Sequence, residues 1–526
     1  MNATTDICLF LEGTYPYVAG GVSSWVHQLV TSLNEFTYSL VVILPNRQTS
    51  RERRYEVPDN VKEIRHVYLH EHDLPNTHRS KLPDEAWEEM SALHECPFGR
   101  GKTRAFEKVY RYFFNSETRG FSPEALPNTK QAWDLLSKLY EERASDESFI
   151  DYFWTFRFMH YPIFKILVAD PPPARLYHTV STGYAGFLAA VAKMKYGRPL
   201  LLTEHGIYTR ERRIEISRAD WIYEKDTRQI RVRRSQSRFK ELWNTMFTTL
   251  SRVCYEYSDR IITLYQGNQK YQLQDGADPE KMMIIPNGVD VRSLQALEKE
   301  PKADPEEFVL GFMGRVVSIK DVKTFIRACK AVADRVPKLK VYIMGPTDEE
   351  PAYYDECLKL TEFLGLKKII TFTGKINIKE YYPKLDLLVL TSISEAQPLV
   401  ILEAHCLGIP AVATDVGACR ELLYGSSPED QALGRSGLIA GVTNSEEIAR
   451  HIVNIWRSPE LRRKMAETAK ERVARFYNKT DLDNQYRALY THYVNWQPGR
   501  APKPSVGAEA APAEVGTVST VAVNAE

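Results

Sequence analysis

Short apolar runs of strand length alternate with helix-length segments twice along this chain. That double series restricts the fold more than any other feature. In the first series Asp6–Leu11 and Tyr38–Leu44 read as strands, joined by the Gly-containing loop Glu12–Gly21 and a helix over Val22–Asn34. The alternation resumes with Arg175–Thr179, Gly183–Lys195, Leu200–Thr203, Arg260–Leu264 and Met283–Ile285. The second series runs Val309–Met313, Val322–Arg335, Val341–Met344, Ala352–Leu364, Ile369–Thr373, Leu387–Leu390, Pro398–Leu407 and Ala411–Thr414. The expectation is an α/β chain with two Rossmann-like, doubly wound domains in tandem. Such sheets bind ligands outside the carboxyl ends of their strands, which here means a cleft between the domains.

At 526 residues the chain is too long for one ordinary core. The first domain is expected over 1–290, interrupted at about 70–170 by a helical insertion that includes Asp84–Leu93, Thr103–Phe114 and Gln131–Glu142. Polar residues 291–307 read as a linker, and 308–477 as the second domain. Two helix-rich segments, Ser445–Arg457 and Glu460–Tyr493, close the fold, and a last helix over about 478–495 is expected to pack back on the first domain. The stretch 498–526, rich in Pro, Ala, Val and Gly, is expected to be disordered.

A formal net charge of +1 argues against nucleic acid or an anionic membrane as the main electrostatic partner. No basic-then-apolar leader and no apolar run near the ~20 residues of a bilayer span is present, and the seven scattered cysteines lack paired spacing. A cytoplasmic protein with reduced thiols is the expectation.

The candidate chemistry sits where strands give way to loops. After Leu387–Leu390 comes Glu395-Ala396-Gln397-Pro398-Leu399-Val400, then Glu403 within the following helix. Free N–H groups at that helix start suit a phosphate, and two acids beside an anion site make sense if they bind neighbouring neutral hydroxyls. A nucleotide sugar presents that pattern. Helix capping by Glu395, a solvated Glu403, or a glycosidase acid pair are the competing readings. Gly20-Gly21 opens the first helix, where small residues allow close backbone approach, although a plain turn fits equally. Arg315 and Lys320, after the first strand of the second domain, can stabilise charge on a departing diphosphate, or can be ordinary surface cations. His205 ends a buried strand and is expected to face the cleft, to hydrogen-bond a sugar or move a proton. Pro286-Asn287-Gly288 is expected to form a positive-φ turn there, with Asn287 a further ligand candidate. Asp481-Leu482-Asp483 reads as helix-start acids rather than a metal site. The basic run Arg231-Val232-Arg233-Arg234 reads as a solvated helix. The aromatic runs Tyr110–Phe114 and Tyr152–Trp154 read as insertion core, with stacking on an acceptor sugar the alternative.

Taken in order, Gly20-Gly21, His205, Pro286-Asn287-Gly288-Val289-Asp290, Gly314-Arg315…Lys320, Gly345-Pro346, Glu395…Glu403 and Gly408–Gly417 resemble the family 4 glycosyltransferases of the GT-B fold. Leu11–Tyr17, Gly20–Trp25 and Leu202–Glu211 further resemble the Pel-type enzymes of exopolysaccharide and biofilm synthesis. The resemblance implies a retaining, metal-independent transfer from a UDP-sugar, with glucose or an N-acetylhexosamine as donor sugar and an oligo- or polysaccharide acceptor. It places Glu403 on the ribose and Glu395 on the donor sugar. Arg315 and Lys320 would then hold the diphosphate, assisted by Gly20, Gly21 and Gln397–Val400, with His205 near the sugar. No cofactor is implied, and docking on membrane-bound Pel export and synthesis proteins is expected. Gln397-Pro398 departs from the family's usual aromatic residue and Gly. A GT-B-like UDP-N-acetylglucosamine 2-epimerase and a catalytically silent scaffold are the alternatives.

Overall fold

The computed structural model describes residues 5–71, 83–95, 103–114, 129–218, 238–297 and 304–497. Two all-parallel sheets form. The first contains β1 (Thr5–Glu12), β2 (Tyr38–Leu44), β3 (Val61–Tyr68), β4 (Ala174–Thr179), β5 (Leu200–Glu204), β6 (Arg260–Thr263) and β7 (Met282–Ile284), in the order β3-β2-β1-β4-β5-β6-β7. The second contains β8 (Phe308–Met313), β9 (Leu339–Met344), β10 (Ile370–Gly374), β11 (Leu387–Leu390), β12 (Ala411–Thr414) and β13 (Gly437–Ala440), in the order β10-β9-β8-β11-β12-β13. Strand order reverses between β1 and β4 and again between β8 and β11. The loops leaving those strands therefore splay apart and open a crevice in each domain.

Five helices matter for the site: α1 (Gly21–Ser32), α2 (Gln266–Asp275), α3 (Leu399–Cys406), α4 (Cys419–Tyr424) and α5 (Lys479–Val494). The expected strands are present within one or two residues. Among the elements that went unread are β3, β13, α2, α4 and the helix Phe149–Val168. In β3, Lys62, Glu63, Arg65 and His66 interrupt the apolar pattern, as suits a sheet edge. β13 has only four residues, and α2 is polar with Gly267 at its second position.

The insertion contributes helices Asp84–Glu95, Thr103–Phe114, Lys130–Arg143 and Phe149–Val168, which share one apolar core with helices Tyr184–Tyr196 and Arg238–Tyr257. Tyr110 and Tyr152 lie in that core, whereas Trp154 is exposed beside Phe158. The basic run 231–234 and the tail 498–526 lie outside the described residues.

The expected linker is partly structured, because Val291–Gln295 forms a short helix whose Val291 and Leu294 pack in the second domain's core. The helix-rich segment Glu460–Tyr493 holds two helices. Pro459–Phe476 ends at Tyr477, and Asn478 caps α5 by accepting from the Thr480 N–H. Leu482, Tyr486, Leu489 and Tyr490 of α5 then join the apolar core of the first domain with Leu9, Leu40 and Leu176. The Tyr490 hydroxyl lies 2.7 Å from His178 Nδ1, and Tyr486 Oη lies 3.1 Å from Thr203 Oγ1.

Candidate functional site

The loop from β11 to α3 is built to hold Glu395 in one place. Thr414 donates to the Ser392 carbonyl (2.7 Å), and the Ile393 N–H donates to the Ile319 carbonyl (2.9 Å). Thr391 Oγ1 donates to the Lys320 and Asp321 carbonyls, both at 3.0 Å. Gly417 packs so closely on the loop that a Cβ there would come within 2.3 Å of the Glu395 and Ala396 carbonyl oxygens. Its φ of +53° is a second reason for glycine. The Glu395 carboxylate then accepts from Lys320 Nζ (2.5 Å) and Ser392 Oγ (2.6 Å). One candidate acid and one candidate cation are thus paired, and Ser392 is a partner that sequence reading missed.

Two helices begin at this place without caps. α1 starts after Gly20, and α3 starts after Pro398. Neither has a side-chain cap or an acid in its first turn. A Cβ at Gly20 or Gly21 would meet nothing within 4 Å, so space for a ligand lies directly over that backbone.

One cavity between the domains is lined by Gly21, Trp25, His205, Asn287, Glu395, Gln397 and Leu399, together with Lys479, Asp483 and Tyr486 from α5. The α5 residues carry no local motif; only their return to the first domain brings them here. His205 is buried edge-on to Trp25, with ring centroids 4.7 Å apart, and its Nε2 has no hydrogen-bond partner. Burial holds its imidazole down at about 4, so it is neutral at physiological pH. Below it, Glu204 is fully buried and accepts from Tyr255, Gln272, the Tyr208 N–H and Thr182. Burial pushes Glu204 up to about 7 against those donors.

The remaining candidates are placed differently. Gln397 spends its carboxamide on the other domain: Oε1 accepts from the Asn287 N–H (2.7 Å), and Nε2 donates to the Asn287 carbonyl (3.2 Å). Pro398 and Val400 flank the start of α3. Glu403 lies on α3 and accepts from the Tyr382 hydroxyl at 3.0 Å; burial raises its carboxyl above the usual range, and that hydrogen bond opposes the rise. Arg315 is half exposed and pairs with Glu349 at 2.6 Å. Arg315, Lys320, Glu403, Gly20, Pro398 and Val400 do not line the cavity between the domains, and Lys320 is tied to it only through its pairing with Glu395.

Two expectations about motifs change or sharpen. Asn287-Gly288 is not a positive-φ turn. Gly288 is required because a Cβ would come within 2.8 Å of Lys479 Cα, where the chain passes back to the first domain. Asp481 is a first-turn acid that accepts from Asn478 Nδ2, whereas Asp483 lies in the next turn and pairs with Lys479.

Residues 5–280, just over half of the chain, match the family described as "Domain of unknown function (DUF3492)", and residues 295–472 match "Glycosyl transferases group 1". The chain is 25% identical over 258 residues to a D-inositol 3-phosphate glycosyltransferase of Rhodococcus erythropolis, covering 47% of this chain and 56% of that protein. It is 26% identical over 200 residues to an N-acetyl-alpha-D-glucosaminyl L-malate synthase of Bacillus anthracis, covering 38% and 49%. The chain thus spans about half the length of the curated relatives it matches. Among solved structures, Anabaena HepE in complex with UDP superposes with a TM-score of 0.55 at 15% identity, over 92% of this chain and 99% of that one. Sucrose-phosphate synthase from Thermosynechococcus elongatus gives 0.54 at 16% identity, over 92% and 98%. These likenesses establish the GT-B fold. The chain belongs to the family described as Domain of unknown function (DUF3492), continued at its C-terminal side by a Glycosyl transferases group 1 domain.

Proposed function

We propose that the chain is a retaining glycosyltransferase that moves a sugar from a UDP-sugar, glucose or an N-acetylhexosamine, to a growing polysaccharide. The carrying observation is that two uncapped helix starts and Glu395 line one cavity where the domains face each other, with Lys320 bonded to Glu395. Helix N-termini and a lysine favour a diphosphate, and Glu395 can exchange its lysine for sugar hydroxyls. The sugar C1–O bond breaks as the diphosphate gains charge, and Lys320, Arg315 and the helix starts stabilise that charge. Arg315 reaches the diphosphate by giving up Glu349. The acceptor hydroxyl attacks C1 from the face the diphosphate leaves, passing its proton to the departing phosphate. His205, neutral and with an unpartnered Nε2, is placed to orient a hydroxyl of the sugar.

The Pel-type stretches Leu11–Tyr17 and Leu202–Glu211 support a finer reading. In it the enzyme is PelF-like, polymerises exopolysaccharide on the cytoplasmic side and docks on membrane-bound Pel proteins. No helix among the described residues is long and apolar enough to cross a membrane. A panel of UDP- and GDP-sugars, assayed for nucleotide release with and without oligosaccharide acceptor, tests the reading. UDP release that requires an acceptor supports it. Formation of a 2-epimer from UDP-N-acetylglucosamine without acceptor would overturn it.

A further inference from the structure

Helix α2 belongs to the first domain and begins without a cap of its own, since the residue before it is Tyr265 and no side chain there accepts from its amides. Its first two N–H groups are satisfied from the other domain. Glu421, on α4, accepts from Gln266 N–H at 3.1 Å and from Gly267 N–H at 3.2 Å. Across the same cleft, Gln397 makes its two bonds to the backbone of Asn287, and the Gln397 side chain is nearly fully shielded from water. All four bonds join a side chain of the second domain to main-chain groups of the first. A main-chain group cannot rotate away as a surface side chain can, so each bond reports the relative position of whole domains.

We propose that Glu421 and Gln397 are positioning residues that together latch the two domains in one register, Glu421 by capping a helix of the other domain and Gln397 by bridging both polar groups of one peptide residue. Opening the cleft breaks all four bonds at once and leaves the first turn of α2 uncapped. With about a fivefold net contribution per bond, the latch favours the closed register by on the order of several hundredfold. Gln397 is suited to this because a carboxamide presents a donor nitrogen and an acceptor oxygen side by side, matching the N–H and C=O of one residue. The inference concerns how the domains are held, and it does not require the proposed transfer reaction.

Small-angle scattering on the full chain tests it. Wild type is expected to give one compact radius of gyration. Glu421→Ala and Gln397→Leu should each give a larger value, and the double variant the largest. Glu421→Gln, which keeps one accepting oxygen, should fall between Glu421→Ala and wild type. Superimposable curves for wild type and a folded double variant would overturn the latch. Should the double variant not fold, amide exchange on Glu421→Ala decides. A joint rise at 265–269 and 286–289 means the domains have parted. A rise confined to 265–269 makes Glu421 a local cap only and sinks the proposal.

Discussion

Single side chains in this protein are most informative where their polar atoms are unusually well or unusually poorly matched. Arg472 is fully buried and donates to Asp430 Oδ1, to Ser436 Oγ and to the carbonyls of Leu423, Asp430 and Gly434. Removing one partner of such a pair strands the other charge, so Arg472→Met is expected to cost about 3–5 kcal/mol by denaturant unfolding. His405 is the reverse case: it is fully buried and neither ring nitrogen has a partner. Replacing it by leucine removes two unsatisfied polar atoms at similar volume. His405→Leu should therefore stabilise the second domain by about 1 kcal/mol in the same measurement. At the site itself, Lys320→Ala should weaken UDP binding roughly tenfold in a calorimetric titration, the usual scale for a charge-assisted phosphate contact. Unchanged affinity in that variant would remove Lys320 from the diphosphate.

Between elements, the loops are held by contacts that only glycine permits. Gly417→Ala would force a Cβ against two carbonyl oxygens of the Glu395 loop and strain a positive φ, so nucleotide binding should fall while far-UV circular dichroism is unchanged. Gly288→Ala should loosen α5 from the first domain and expose the α5 start to limited proteolysis. These contacts mark the boundary of what could be read from the residues alone. The strand series, the helix start after Pro398 and the burial of Glu403 follow from local patterns of apolar residues and turn formers. The pairing of Lys320 with Glu395, the Tyr382 partner of Glu403 and the α5 wall of the cavity do not. They join residues 21 to 447 positions apart, and nothing local in either partner announces the other. Asn-Gly misled for the same reason. The local pattern suggests a turn, but the demand on Gly288 comes from a chain segment nearly two hundred residues away.

Over the whole molecule, buried neutral histidines set the acid limit. Burial holds His160, His178 and His405 at about 3 and His205 at about 4, all below the ordinary 6.5 of an exposed imidazole. The native state then binds fewer protons than the unfolded chain. The stability these groups contribute is complete above about pH 6.5 and is lost as pH falls towards their folded values. Glu204 runs the other way: raised to about 7, it lets the native state hold a proton that the unfolded chain releases above about 4.5, a loss of stability as pH rises through that window. Glu12, Glu211, Glu256, Glu403 and Glu421 are raised by burial in the same sense as Glu204 and offset part of the effect. His66, His94 and His451 are lowered in the sense of the other histidines, so the histidines with their large shifts keep the upper hand. The midpoint of thermal unfolding should therefore drop steeply between pH 6.5 and 4, and His405→Leu should flatten part of that slope.

The return of the chain to its first domain through α5 has a mechanical consequence. The outbound strand at Val289 and the inbound strand at Asn478 lie side by side, with the Val289 N–H bonded to the Tyr477 carbonyl and the Lys479 N–H bonded to the Val289 carbonyl, both at 3.0 Å. A single tether would let one lobe twist, slide and swing. Two tethers bonded to each other act as a strap of finite width, which resists twist and leaves swing about one axis as the soft motion. Whatever enters the cleft meets walls that approach along a single arc.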